Sequence, residues 1–189
     1  MYLTPNIMLD FETKGTEVDC KVLALGVTVF TVNKIDFTLL ESQDWLIEHK
    51  YSQTNRSETQ STLDWWETQD KKLKIRIFDG IPRICPSRML RELEALVNKY
   101  IAKYGNVNMW GNGPTFDIAI AEHLFKSYNI PIPWNFWEIR DCRTIKTLIH
   151  LLNKHVDDYA VNQKFHDPKA DAEYQAKWVG RFMAEIMKG

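Results

Sequence analysis

Short apolar runs separated by polar segments mark the first quarter of the chain. Residues 6–11 (NIMLDF), 21–30 (KVLALGVTVF) and 35–41 (IDFTLLE) are the length of strands, and the second is rich in Val, Leu and Thr. The polar segment KGTEVDC between the first two is short enough for a hairpin-like link. The pattern therefore predicts three successive antiparallel strands.

The spacing of apolar positions becomes helical from Ser61 onward. Helices are predicted over 62–78, 87–105, 113–129, 143–154 and 167–188, with a short strand, NVNMWG, at 106–111 and a polar loop at 157–166. Pro114 is expected near the first turn of the third of these helices, and Gly105 is expected to stop the second. This order of elements predicts an α/β fold with a mixed sheet covered by helices.

Composition and charge narrow the class of protein. The 189 residues fit one domain, residues 1–189, and 44% hydrophobic with 26% charged residues is typical of a globular chain. A net charge of −1 offers no general basic excess for nucleic acid. Three cysteines without CxxC spacing predict reduced thiols and no zinc cluster. With no basic leader and no apolar run of about 18 residues, we expect a cytoplasmic protein and no membrane partner.

Two acids stand at the end of the first predicted strand, in MLDFETKG. Asp10 and Glu12 are two residues apart, so their side chains share one face of the strand, and Phe11 points to the other. Two close carboxylates repel unless a positive charge lies between them, and oxygen ligands suit Mg²⁺ or Mn²⁺. The alternative is that the strand has ended and both acids are solvated.

A third acid, Asp117, follows the segment WGNGPTF at the predicted start of a helix. The helix macrodipole alone favours an acid in that position, so a purely structural role is one interpretation. The glycines on either side of Asn112 would let a ligand or another backbone approach closely, which favours a functional role.

The last candidates surround the start of the final helix, in FHDPKADAEYQAKW. Asp167 is predicted to be its N-cap, with Pro168 at the first helical position. Asp171 lies at the margin of the apolar stripe of that helix, where a carboxylate without a partner would be unfavourable. A single loop histidine is usually solvated, but His166 stands five residues before Asp171, and that spacing favours a functional role.

Together these segments resemble the DEDDh 3′→5′ exonucleases, which carry DxE on a first strand, an Asp on a helix after the fourth strand, and His-x₄-Asp at a final helix. The segments STLDWWETQ, WGNGPTFD, FWEIRDCRT and HDPKADAEYQAKW resemble a phage and bacterial subgroup that includes phage exonuclease A, exodeoxyribonuclease VIII-like and RNase AS-like proteins. The matches run from Asp10 to Trp178. Relatives often have His-Asn-Ala where this chain has His166-Asp167-Pro168, so Asp167 stays an alternative to Asp171 as a ligand.

The resemblance implies a ribonuclease H-like fold with a mixed five-stranded sheet flanked by helices. It also implies that His166 is the general base and that two Mg²⁺ or Mn²⁺ ions are held by four carboxylates, namely Asp10, Glu12, Asp117 and Asp171. The expected activity is hydrolysis of single-stranded nucleic acid from the 3′ end, with DNA slightly ahead of RNA, releasing nucleoside 5′-monophosphates. The alternatives are an exoribonuclease, a ribonuclease H-type endonuclease, a catalytically silent nucleic-acid-binding or regulatory protein on the same fold, and an interaction protein whose acids are incidental.

Further residues are expected to contact the substrate, which would be a DNA or RNA 3′ end, and relatives suggest a homodimer. On a helix the side chains of Trp65 and Trp66 diverge by about 100°, so one can be core while the other could stack on a base. Packing of both indoles onto the sheet is the alternative. Arg143 would contact a phosphate or pair with Asp141. The expected set of substrate contacts is Phe11, Thr13, Trp66, Asn112 and Arg143, with core packing as the alternative for Phe11 and helix capping at Pro114 as the alternative for Asn112.

Overall fold

The computed structural model describes residues 4–161 and 166–188, which form a five-stranded sheet with helices on both faces. The strands are β1 (Asn6–Thr13), β2 (Val22–Val32), β3 (Phe37–Leu46), β4 (Asn108–Gly111) and β5 (Ile139–Asp141). The helices are α1 (Gln60–Glu67), α2 (Lys71–Asp79), α3 (Pro86–Tyr104), α4 (Asp117–Ser127), α5 (Cys142–Leu151) and α6 (Pro168–Ile186). Single 3₁₀ turns lie at Phe136–Glu138 and Val156–Asp158. None of these helices is both long enough and apolar enough to span a bilayer.

The sheet is mixed, as the sequence predicted, and its strand order is β3-β2-β1-β4-β5. β1, β2 and β3 pair antiparallel, whereas β4 pairs parallel with β1 and β5 pairs parallel with β4. The carboxyl ends of β1, β4 and β5 therefore meet at one edge of the sheet. Chain segments that leave these three strands begin close together at that edge.

The two faces of the sheet are covered by different helices. On one face α3 and α4 pack against Ile7, Leu9 and Phe11 of β1. On the other face α5 and α6 pack against Met8 of β1 and Trp110 of β4. Side chains alternate along a strand, so Asp10 and Glu12 share the face covered by α6 and Phe11 lies on the opposite face, as predicted. Both acids thus lie on the face of the sheet that α5 and α6 cover.

The predicted helix over 62–78 is wrong as a single element, because the structure contains two helices there. α1 ends at Glu67 and α2 begins at Lys71. The side chain of Asp70 accepts hydrogen bonds from the backbone N–H groups of Lys72 and Leu73, which is the geometry of an N-cap. Because the apolar spacing continues from α1 into α2, the sequence pattern did not reveal this N-cap.

The predicted start of the helix over 113–129, with Pro114 near its first turn, is also wrong. Residues 113–116 form a turn in which the N–H of Phe116 donates to the carbonyl of Gly113, and α4 begins at Asp117. The alternative that Asn112 caps a helix at Pro114 is thereby excluded. Asp117 instead occupies the first helical position, directly after the loop that leaves β4.

Other observed boundaries differ from the predicted ones without changing the architecture. β3 runs to Leu46, five residues past the predicted end at residue 41, and the three-residue strand β5 had no pattern of its own in the sequence. Ile186, the last residue of the final helix, is exposed. The predicted loop at 157–166 begins inside the 3₁₀ turn at Val156–Asp158, and its residues 162–165 lie outside the described residues.

Candidate active site

Carboxylates from three separate parts of the chain converge at the carboxyl edge of β1. Asp10 and Glu12 lie at the end of β1, Asp117 begins α4, and Asp171 lies in the first turn of α6. Glu12, His166 and Asp171 each offer one ligand atom, and these three atoms lie within 4.8 Å of one another. The structure thus brings together the five residues that the sequence singled out for metal binding and catalysis.

Asp117 is held by the backbone on both sides of the carboxylate. Its Oδ1 accepts from the N–H of Phe11 and its Oδ2 from the N–H of Asn112, both at 3.0 Å. A Cβ at Gly111 would lie 3.0 Å from the Cβ of Asp117, so the missing side chain makes room for the acid. Burial raises the pKa of Asp117 to about 6, although the two N–H donors and the charge of Arg143 act in the opposite direction. The orientation of this acid is fixed by β1 and the β4–α4 loop.

Asp10 is held from the opposite side by α6. Nε2 of Gln175 donates to Oδ1 of Asp10 at 2.7 Å, and Gln175 lies one helical turn after Asp171. Oε1 of Gln175 is buried and has no hydrogen-bond partner among the described residues. Sequence reasoning missed Gln175, and its only signal was its position four residues after Asp171, on the same face of the helix.

The acids raise one another's pKa. Burial is the main cause for both Asp10 and Glu12, whose pKa values lie well above the ordinary range, and the charges of the neighbouring acids, including Asp171 and Asp117, add to it. Glu12 is only 6% exposed. Buried like charges are unfavourable without cations, and carboxylate oxygens are the donors that Mg²⁺ and Mn²⁺ prefer. This donor set therefore fits divalent metal ions.

His166 stands at the entrance to α6 in a left-handed backbone conformation, with φ of 63°. Its N–H donates to Oδ2 of Asp171 at 2.6 Å. Its imidazole packs edge-on against the indole of Trp65 on α1, with ring centroids 4.7 Å apart. α1 and the start of α6 therefore meet at this histidine, beside the acids.

The structure buries Trp66, the indole that the sequence placed among the expected substrate contacts, and this indole lines a pocket beside the acids. Trp66 is 1% exposed, donates from Nε1 to the carbonyl of Thr13 at 2.8 Å, and packs edge-on against Phe78. Trp65, its neighbour, is 39% exposed and lies at the site. The sequence predicted that one indole is core and the other near the surface, and in the structure Trp66 is the core indole; its contact with the substrate stays a prediction.

The remaining expected substrate contacts differ in how accessible they are. Phe11 and Thr13 are both buried, and the hydroxyl of Thr13 donates to the carbonyl of Gly15 at 2.6 Å. Asn112 and Arg143 are exposed at the carboxyl ends of β4 and β5. Asp141 does not engage the guanidinium of Arg143 but caps α5, accepting from the backbone N–H groups of residues 143 and 144.

Two hollows flank the acids. The aromatic pocket, of about 330 Å³, is lined by Phe11, Glu12, Thr13, Trp65 and Phe116 together with residues of the β1–β2 turn and α1. The acidic cleft, of about 550 Å³, contains Asp10, Glu12, His166 and Asp171, and is closed on the far side by residues from α5. Glu12 lines both hollows, so a ligand can extend from one into the other past the acids.

Gly26 lets α6 reach this edge of the sheet. It pairs with Asp10 in the β1–β2 register, and a Cβ added to it would lie 1.9 Å from the carbonyl oxygen of Pro168. The first turn of α6 therefore rests directly on the backbone of β2. This contact positions Asp171 beside Asp10.

Sequence comparison places the chain near nucleases. Residues 5–183 match the family described as "3'-5' exoribonuclease Rv2179c-like domain". The exodeoxyribonuclease of Enterobacteria phage T4 is 22% identical over 161 residues, an alignment that covers 74% of this chain and 69% of the phage protein.

Structural comparison finds the ribonuclease H-like fold of 3′-exonucleases. Cell-death related nuclease 4 (CRN-4) superimposes with a TM-score of 0.59 at 14% identity, over 96% of this chain and 64% of that protein. A full-length 3′-exonuclease superimposes with a TM-score of 0.54 at 11% identity, over all of this chain and 85% of that one. The chain thus spans less than two thirds of the length of CRN-4, and at these identities the likeness concerns the fold.

Proposed function

Since the chain belongs to the family of the 3'-5' exoribonuclease Rv2179c-like domain and is a DEDDh 3′→5′ exonuclease, we propose that it removes nucleotides singly from the 3′ end of single-stranded DNA or RNA. The observation that carries this proposal is the convergence of Asp10, Glu12, Asp117, His166 and Asp171 at one edge of the sheet. These are the residue types that the hydrolysis of a phosphodiester requires.

Four carboxylates, those of Asp10, Glu12, Asp117 and Asp171, would hold two Mg²⁺ or Mn²⁺ ions. The raised pKa values of Asp10 and Glu12 support this assignment, because a pair of dications would offset both the burial of these carboxylates and their mutual repulsion. When bound, such ions stabilise the charge that develops on the attacking and leaving oxygens of phosphoryl transfer. The protein's own contribution is to orient the acids through the backbone of β1, the β4–α4 loop and Gln175.

His166 is the proposed general base. Its ring lies with Glu12 and Asp171, where it can take a proton from the water that attacks the terminal phosphate. The new P–O bond replaces the bond from phosphorus to the 3′ oxygen of the preceding nucleotide, and that oxygen leaves with a proton. The products are a nucleoside 5′-monophosphate and a strand one nucleotide shorter. A positioned base of this kind contributes typically about 10²–10⁴-fold to the rate.

The terminal nucleoside is proposed to enter the aromatic pocket. The pocket volume of about 330 Å³ is at the lower end of the range for small-ligand sites, and the exposed face of Trp65 offers a surface for stacking. Arg143 and Asn112 stand exposed at the neighbouring strand ends, from which they can reach a phosphate. Phe11 and Thr13 shape the floor of the pocket without leaving the core.

A labelled-strand assay tests the proposal. Single-stranded DNA and RNA of one sequence, each labelled at the 5′ end, are incubated with Mg²⁺, with Mn²⁺ or with EDTA. We expect stepwise shortening from the 3′ end that EDTA stops; the DNA and RNA arms are both needed because the family description names RNA and the phage relative's name specifies DNA. Asp10→Asn should abolish cleavage, while Asp36→Asn, in the β2–β3 turn at the opposite edge of the sheet, should not. Normal cleavage by Asp10→Asn would refute the assignment.

Two further expectations belong to this proposal. The three cysteines are free thiols in the structure, which suits the reducing cytoplasm. The homodimer suggested by the resemblance stays a prediction, and the mass of the protein in solution, measured by light scattering during size exclusion, tests it.

A further inference from the structure

Basic side chains on α5 form the wall of the acidic cleft opposite the acids. Lys146 and His150 line the same cleft as Asp10 and Asp171, and all the side chains of this wall are exposed. His155, just after α5, extends the wall, with its ring centroid 6.2 Å from that of His150. The cleft thus has negative charge on one side and cationic or hydrogen-bond-donating groups on the other.

The spacing of these residues makes a continuous strip. Arg143, Lys146 and His150 stand at positions i, i+3 and i+7, which share one face of a helix. They span about 10 Å along the helix axis, at 1.5 Å per residue. The guanidinium of Arg143 lies against Gly113, where an added Cβ would meet Cζ at 3.1 Å, so the strip begins beside the β4–α4 loop.

The strip is not tied up in close ion pairs with the described carboxylates. Among the described residues, no ion pair of 4.0 Å or less involves Arg143, Lys146 or His150. Asp157 is an acid of the same cleft outside the catalytic set, and its Oδ1 accepts from the hydroxyl of Tyr174. The cationic groups therefore remain available to an anionic ligand in the cleft.

We propose that Lys146 and His150 form a track for the phosphodiester backbone of the strand upstream of the scissile bond. The inference rests on the proposed function, and it adds where the uncleaved part of the strand lies. When the terminal nucleoside occupies the aromatic pocket, the rest of the strand passes Glu12 and enters the acidic cleft. There the strand meets the surface of α5. The ligand is the phosphate backbone common to DNA and RNA, so a DNA strand and an RNA strand use the track alike.

Two substrates distinguish an effect on the track from an effect on the catalytic site. A ten-nucleotide strand reaches α5, whereas the p-nitrophenyl ester of thymidine 5′-monophosphate has no upstream phosphate. For the double variant Lys146→Gln, His150→Gln we expect the ratio of kcat/KM on the strand to kcat/KM on the ester to fall about tenfold, as exposed ion pairs are individually weak. Lys103→Gln, on α3 across the sheet, should leave the ratio unchanged. An equal loss on both substrates would overturn the track.

Binding without hydrolysis tests the same inference independently of the proposed activity. Fluorescence anisotropy in EDTA measures the affinity for labelled ten-nucleotide DNA and RNA over a range of salt concentrations. Each phosphate contact that is lost should reduce the slope of log K against log salt by about 0.7 for a single strand. We expect this reduction for the double variant with both DNA and RNA, and none for Lys103→Gln. An unchanged slope refutes the track even if the enzyme is active, and a reduced slope supports it even if no cleavage is found.

Discussion

Nε2 of Gln175 donates a hydrogen bond to Oδ1 of Asp10 at 2.7 Å, and this bond connects the central strand to the last helix. Because Asp171 lies one turn earlier on α6, the same helix supplies one acid and orients another. The hydrogen bond occupies one oxygen of Asp10 and helps to fix the direction in which the other points. Partners of this kind commonly set the affinity of a metal site.

Replacing Gln175 with Leu should reduce activity while preserving the fold. Loss of the donor leaves Asp10 free to rotate, so we expect the Mn²⁺ concentration for half-maximal activity to rise about 10–100-fold. Gln53→Leu is the matched control, because Gln53 is a buried amide whose side chain bonds to the backbone of Val22 and Glu48 rather than to a carboxylate. It should lower stability and leave the metal requirement unchanged. An identical metal requirement in Gln175→Leu and the native protein would show that the bond has no orienting role.

Gly26→Ala should impair the site without adding or removing any polar group. The new Cβ would lie 1.9 Å from the carbonyl oxygen of Pro168, so the start of α6 must move away from β2. Overpacking of this kind costs about 1–3 kcal/mol of stability, and a displacement of about 1 Å can lower a catalytic rate about 10²-fold. Gly105→Ala is the control, since its φ of 90° is strained for Ala but nothing lies within 4 Å of an added Cβ. Full activity in Gly26→Ala would contradict this account of α6.

His166→Asn should lower kcat by about 10²–10⁴-fold, because Asn cannot act as the base. Asn tolerates the left-handed backbone conformation of residue 166, so the start of α6 should keep its structure. Thermal shifts measured with increasing Mn²⁺ report whether the ion still binds. Retained binding with slow turnover supports a base, whereas loss of binding would make the imidazole a metal ligand, which its position near Glu12 and Asp171 also permits.

The adjacent indoles should respond in opposite ways to truncation. Trp66→Ala removes a side chain that is 1% exposed, and we expect it to destabilise the protein by about 3–5 kcal/mol in denaturant titrations. Trp65→Ala should change stability less but lower kcat/KM about tenfold or more, as stacking on a base is worth about 1–3 kcal/mol. If Trp65→Ala cleaves as fast as the native enzyme, the aromatic pocket is not where the terminal base binds.

The acid cluster should make the metal-free protein less stable as the pH rises. The folded-state pKa of Asp117 is about 6 against an ordinary 3.8, and those of Asp10 and Glu12 are also raised. The folded protein therefore holds protons that the unfolded chain has released. The contribution of Asp117 to the free energy of unfolding falls between about pH 4 and pH 6, and the contributions of Asp10 and Glu12 fall in the same direction as the pH rises.

Asp10→Asn should therefore raise the Tm in EDTA at pH 7.5, by about 2–4 °C for each kcal/mol of repulsion removed. Mn²⁺ should stabilise the native protein more than the variant. Asp36→Asn supplies the comparison for loss of an acid elsewhere. A lower Tm for Asp10→Asn in EDTA would mean that the acids do not repel one another as the structure indicates.

The strands and most helices were predictable because their apolar spacing reflects burial on the sheet. The spacing also placed Asp10 and Glu12 on one face, and the resemblance linked them to acids more than 100 residues away. The split between α1 and α2 was missed, since the cap at Asp70 interrupts the backbone without interrupting the apolar pattern. β5 was missed because three residues are too few to show a period.

Contacts between distant segments were not predictable from local patterns. Gln175 and Asp10 are 165 residues apart, and their hydrogen bond depends on how closely α6 approaches β2. That approach depends in turn on Gly26. The sequence shows this glycine within the second apolar run, but it does not show that α6 packs against it. The choice between Trp65 and Trp66 likewise depended on the angle at which α1 meets the sheet, which no helical wheel specifies.

The seating of α6 on β2 makes the enzyme's chemistry depend on the docking of one helix. Three of the acids belong to the first 117 residues, but the fourth, together with the histidine and the glutamine that steadies Asp10, arrives only with the last helix. A chain in which this helix has not docked therefore lacks a complete site. In refolding experiments, the return of hydrolysis should accordingly coincide with protection of the α6 amides from hydrogen exchange.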